Sequence, residues 1–135
     1  MGSYYMKKYE NFSRALANLK EGAKIKEPYT VVEQVGIAGL FMICFEQAWK
    51  LMKEILDDHG RSDERIGSPR GIIKLAYQCG MIQNCEAWLE LLESRNILTH
   101  TYSEEQALNI IRRFKTDFIP LFDELKTGID TNGWL

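Results

Sequence analysis

The chain of 135 residues, 45% hydrophobic and 27% charged, has the composition of an ordinary globular domain and not that of a disordered segment. Its net charge of −2 argues against a protein that holds long nucleic acid or an anionic membrane by bulk electrostatics, so any RNA contact must be local. One domain over residues 1–135 is expected. Its three cysteines, Cys44, Cys79 and Cys85, are read as reduced thiols, because they are odd in number and match no zinc spacing. The polar run after Met1-Gly2-Ser3 lacks the apolar stretch of a signal peptide, which makes the cytoplasm the expected address.

Tyr5, Tyr9, Phe12, Leu16 and Leu19 recur at three- and four-residue steps and predict an amphipathic first helix, closed near Glu21–Lys24 and followed by a loop at Pro28. Thr30 with Glu33 fits a capping box that opens a long second helix through Val35, Phe41, Phe45, Ala48, Met52 and Ile55 to Gly60. Its most apolar window, Val35 to Ala48, is too short to span a bilayer and reads as a buried helix. Arg61 to Gly67 reads as a solvated connection, and Ser68-Pro69 as the entry to a short third helix stopped by Gly80. A fourth helix runs from about Asn84 through Trp88, Leu91, Leu92 and Arg95, and the chain leaves it near Leu98 to His100. Ser103 with Gln106 starts a last helix on Ala107, Ile110, Ile111, Phe114 and Phe118, which Pro120 should kink or break before a further short helix. Trp134, close to the C-terminus, reads as loose or subunit-bound. Strand-type alternation is absent. The expected fold is therefore all-α, an antiparallel up-and-down bundle of four main helices with a short extra one.

Polar chemistry concentrates in Arg95-Asn96-Ile97-Leu98-Thr99-His100-Thr101-Tyr102. On an unbroken helix, five residues turn through about 500°, leaving Arg95 and His100 roughly 140° apart. They converge only if the helix ends between them or a second subunit contributes. Ser103 as the next N-cap favours the first option, because a capping residue has non-helical dihedrals. Arginine at a helix end also pairs commonly with a carboxylate such as Glu93, and Arg112, Arg113 and Lys115 read as a solvated face before they read as an RNA guide.

The R-x4-H-x-Y pattern of Arg95, His100 and Tyr102 resembles the signature of HEPN proteins paired with a minimal nucleotidyltransferase. Ser68-Pro69-Arg70, Trp88-Leu89, Arg95-Asn96 and His100-Thr101-Tyr102, with Ala107 beyond, resemble the branch named nucleotidyltransferase substrate-binding proteins, from about Ser68 to Ala107. The resemblance implies a homodimer with two motif copies facing one cleft. It further implies a toxin in which Arg95 and His100 cleave RNA without a metal, and an antitoxin nucleotidyltransferase that transfers AMP from ATP to Tyr102. Asn96 is a secondary candidate for placing phosphate or supporting Arg95.

Residue chemistry agrees with those roles. Histidine, with an ordinary pKa of about 6.5, can take a proton from a ribose 2′-hydroxyl near neutral pH. Arginine stays charged and matches phosphoryl oxygens with its planar fork. Such a reaction leaves a 2′,3′-cyclic phosphate and excludes DNA, which lacks the attacking hydroxyl. No cofactor or metal is expected, and no glycine-serine entry with paired aspartates marks this chain itself as a nucleotidyltransferase. The second reading is a non-catalytic subunit whose cleft presents a substrate to the separate nucleotidyltransferase; a purely structural scaffold ranks last.

Overall fold

Thr30 shows how local chemistry sets the elements. In the computed structural model, which describes residues 3–61, 67–100 and 103–134, its Oγ1 accepts from the Glu33 N–H at 3.1 Å while the Thr30 N–H donates to Glu33 Oε1 at 2.9 Å. This reciprocal cap opens α2 (Val31–Asp58), which follows α1 (Ser3–Ala23). Ser68 Oγ accepts from the Gly71 N–H at 3.1 Å to start α3 (Pro69–Gln78), with proline in its first turn. Asn84 Oδ1 does the same for Ala87 at the head of α4 (Cys85–His100), and Ser103 Oγ for Gln106 at the head of α5 (Glu104–Arg113). Gly80, with φ +80°, takes the left-handed turn after α3 that a side chain would strain. Residues 62–66 of the expected solvated connection lie outside the described residues.

Pro120 does not break the chain's helical path. Phe114–Phe118 form a widened π turn in which the Ile119 N–H reaches the Phe114 carbonyl, and α6 (Ile119–Thr131) follows at once with Pro120 in its first turn. A first-turn proline needs no helical donor, so the extra residue of the wide turn absorbs the defect expected of it. At 13 residues, α6 is also longer than the short helix foreseen.

The described residues are all-helical, without a strand. α2 is the spine: it packs on α1, α3, α4 and α5, while α6 returns to α1. Its inner face supplies Ile37, Phe41, Phe45, Ala48, Leu51, Met52 and Ile55 to one hydrophobic cluster shared with Phe12, Trp88, Phe114, Phe118 and Phe122. Phe41 stacks on Phe114 at 4.7 Å and on Phe118 at 5.7 Å between ring centres. Cys44 is buried there, and loss of water pushes its thiol pKa well up, as befits an inert core thiol.

One expectation for α2 needs correction. It is not buried all round, because Val32, Val35 and Ile43 are 82%, 51% and 54% exposed on its outer side. The helix is long, as expected; at 28 residues it is long and apolar enough to cross a membrane by length and composition alone, though its inner face lies in the core just described. Trp134 is not loose either. It packs edge-on against His59 at 5.0 Å and accepts from the Tyr5 hydroxyl through its carbonyl at 3.0 Å.

Candidate functional site

α4 continues without interruption from Cys85 through His100. The expected helix end between Arg95 and His100 is therefore not found. Nothing in Asn96-Ile97-Leu98-Thr99 forces a stop, since Leu98 is buried in the core and Thr99 Oγ1 donates back to the Arg95 carbonyl at 2.9 Å. Ser103 does cap the next helix, but it lies three residues beyond His100 and so ends α4 after the histidine, not before it. One helix thus carries both residues about 140° apart, and a single chain does not bring them together. His100 is exposed, and Tyr102 lies outside the described residues.

Arg95 is the better anchored of the pair. Its Nη2 donates to Glu46 Oε2 at 3.0 Å and its Nη1 to Asn96 Oδ1 at 2.9 Å, while the guanidinium carbon stands 5.7 Å from the centre of the Phe45 ring. The side chains of Arg95 and Glu46 are only 22% and 33% exposed, so water competes little for these bonds. The structure therefore joins Arg95 to Asn96, as the sequence suggested, but pairs it with Glu46 and not with Glu93.

Glu46 was missed because it sits 49 residues away on another helix. Its signal was available in kind: a lone carboxylate between Phe45 and the apolar turn at Ala48 must find a partner. Glu46 Oε1 also lies 3.6 Å from Lys50 Nζ.

Arg95 and Glu46 line one wall of an open groove of about 500 Å³ with Gly39, Met42, Ile43 and Thr99. The groove merges with the exposed outer side of α2, where Val32, Val35, Gly39 and Ile43 follow three- and four-residue steps. A side-chain carbon built at Gly36 or Gly39 would meet no other atom within 4 Å, so this surface is open to close approach by another backbone.

Of the other basic candidates, the two arginines are committed elsewhere. Arg112 makes a forked pair with Glu27 at 3.1 and 2.7 Å, tying α5 to the connection before α2. Arg113 bonds Glu90 of α4 at 2.7 Å and Asp117 at 2.8 Å, and lies 4.7 Å over the Phe118 ring. The hydrogen bonds from these guanidinia hold the Glu27 and Asp117 carboxyls below the usual carboxylate range. These arginines brace helices and do not form a free basic face. Among the described residues, no group of three or more His, Cys, Asp or Glu side chains is placed to hold a metal ion.

Comparison with known proteins bears on the family and the fold of the chain. The family described as "Nucleotidyltransferase substrate binding protein like" matches residues 7–131. A curated relative, the probable ribonuclease HepT of Haemophilus influenzae, is 29% identical over 86 residues, which cover 60% of this chain and 59% of that protein's length. A solved structure from Thermus thermophilus superposes with a TM-score of 0.74 at 30% identity, over 84% of this chain and 94% of its own. Two more share the fold at lower identity. A mutant of the toxin–antitoxin MntA–HpeT has a TM-score of 0.68 at 15% identity, covering 91% of this chain and 98% of its own. A Haemophilus influenzae protein, described as revealing the fold of a substrate binding domain of a nucleotidyltransferase, has a TM-score of 0.64 at 20% identity over 97% and 100%. With its helical fold and its R-x4-H-x-Y signature, the chain belongs to the nucleotidyltransferase substrate binding protein-like family and is a HEPN-type protein.

Proposed function

We propose that this chain is a metal-independent endoribonuclease toxin that works as a homodimer, with a partner nucleotidyltransferase as its antitoxin. The observation that carries the proposal is the placement of Arg95, a half-buried guanidinium held by two acceptors at the wall of an open groove, on the helix that ends in His100. In this reading each chain is an antiparallel bundle of α1, α2, α4 and the α5–α6 rod, with α3 as the short extra helix. His100 takes the proton from a ribose 2′-hydroxyl, the 2′-oxygen attacks phosphorus, and the bond to the 5′-oxygen breaks as that oxygen is protonated. Arg95 carries the charge gathering on the phosphoryl oxygens. RNA is the substrate and DNA is not.

The dimer is needed because Arg95 and His100 diverge on one helix, so the histidine facing a given Arg95 comes from the second copy. The outer side of α2 suits such a contact: it is apolar, borders the Arg95 groove, and carries two glycines open to a neighbouring backbone. Ile43→Asp places a charge where this surface meets the groove and should convert the dimer to monomer, read by light scattering, with the helical circular dichroism unchanged. A dimer that survives Ile43→Asp places the interface on another face.

Control would come from Tyr102, whose hydroxyl oxygen attacks the α-phosphorus of ATP on the partner enzyme and releases pyrophosphate. The AMP so attached lies two residues from His100 and brings a negative charge that repels RNA. The family's description supports a second reading, in which the groove only presents a substrate to the nucleotidyltransferase. Incubating unmodified protein with a labelled RNA pool in excess EDTA separates the two. Fragments ending in 2′,3′-cyclic phosphate are expected, whereas intact RNA after incubation with folded, unmodified dimer favours the substrate-binding subunit.

A further inference from the structure

We propose that Glu46 is a positioning residue for Arg95: its carboxylate oxygen fixes the guanidinium that meets the scissile phosphate. The inference rests on the ribonuclease reading above for its kinetic consequence, but its geometry stands on the structure alone. Arg95 has five N–H groups on a plane, and two acceptors on two different terminal nitrogens, Glu46 Oε2 and Asn96 Oδ1, determine how that plane sits. Phe45 supports it from the side. Three N–H groups remain for a ligand, and they point in directions set by the two that are used.

The acceptors do not contribute alike. Asn96 is the next residue on the same helix, so it moves with Arg95. Glu46 belongs to α2, and its hydrogen bond ties the guanidinium to a second element. Without it, the long arginine side chain regains rotamers that face the wide groove, and the entropy of ordering it falls on the transition state.

A carboxylate beside a phosphate site also repels the phosphate, and this opposing effect makes the proposal distinguishable from a structural role. The oxygen that accepts from Nη2 governs how often the arginine is in place, hence kcat. Its charge governs how well an anionic substrate binds, hence KM. Glutamine keeps an oxygen acceptor of the same length and removes the charge; alanine removes both.

The experiment measures cleavage of a defined RNA by wild type, Glu46→Gln and Glu46→Ala, together with nitrogen-15 NMR of the Arg95 side chain in the free proteins. Glu46→Gln should keep kcat within about two-fold and lower KM roughly three-fold, as a nearby repulsive charge is lost. Glu46→Ala should lower KM similarly but drop kcat roughly ten-fold, the usual scale for a mispositioned group. The Arg95 Nη protons should exchange slowly about the Cζ–Nη bonds in wild type and Glu46→Gln, and average out in Glu46→Ala.

Equal kcat in all three proteins, or an equal loss in both variants with unchanged melting temperature, overturns the positioning role. If wild type cleaves no RNA, the ribonuclease reading fails while the NMR comparison still decides the role of Glu46. Averaged Nη signals already present in wild type overturn it independently of activity.

Discussion

Alanine at His100 should slow RNA cleavage about 10²–10⁴-fold, the usual contribution of a general base, and mixing that dead variant with equally dead Arg95→Ala should restore cleavage. The reason is the unbroken α4 helix, which turns the two side chains about 140° apart within one chain. If a working site pairs Arg95 of one copy with His100 of the other, a mixed dimer holds one site with both residues intact and one with neither. Random exchange makes half the dimers mixed, each with one site of two, so the mixture should recover about a quarter of the wild-type rate. Gel-based cleavage after subunit exchange checks this. Loss in both single variants with no recovery in a mixture shown by mass spectrometry to contain mixed dimers would place both residues of each site in the same chain.

Phe41→Ala should be the most destabilising single substitution among those considered, by about 3–5 kcal/mol. Phe41 is fully buried at the centre of α2 and touches three rings, Phe114 and Phe118 by stacking and Phe122 at 6.4 Å between centres. Truncation leaves a cavity bounded by stiff aromatic groups on the π turn and α6, which cannot collapse into it cheaply. The melting temperature should fall by roughly 10–20 °C at this chain length. Urea denaturation measures the same loss; a cost below about 1.5 kcal/mol would show that the surrounding helices close the gap.

Why some of this was legible in the sequence and some was not follows from distance along the chain. The caps at Thr30, Ser68 and Ser103 are bonds to a backbone N–H three residues on, so short spacing reveals them. The same is true of the periodic faces of α1 and α5. Arg95 with Glu46, and Arg112 with Glu27, span 49 and 85 residues and depend on how helices pack, which no local pattern encodes. Ser103 points to a helix end too early because a cap marks where the next helix starts and not where the previous one stops. At Pro120 the expected break became a π turn, because the widened turn puts the proline in the first turn of α6, where no helical donor is needed.

That π turn also ties the chain's length to its core. An α-helix advances about 100° per residue, whereas the π turn at Phe114–Phe118 fits one residue more into nearly the same rotation, so α6 keeps its buried face despite the extra residue. Shortening this segment by one residue would leave an ordinary α turn with Phe122, Leu125 and Ile129 still buried, while adding a second residue would turn them by about 100° toward solvent. The segment therefore has room for one deletion and none for an insertion, provided the buried Phe114 and Phe118 rings are kept.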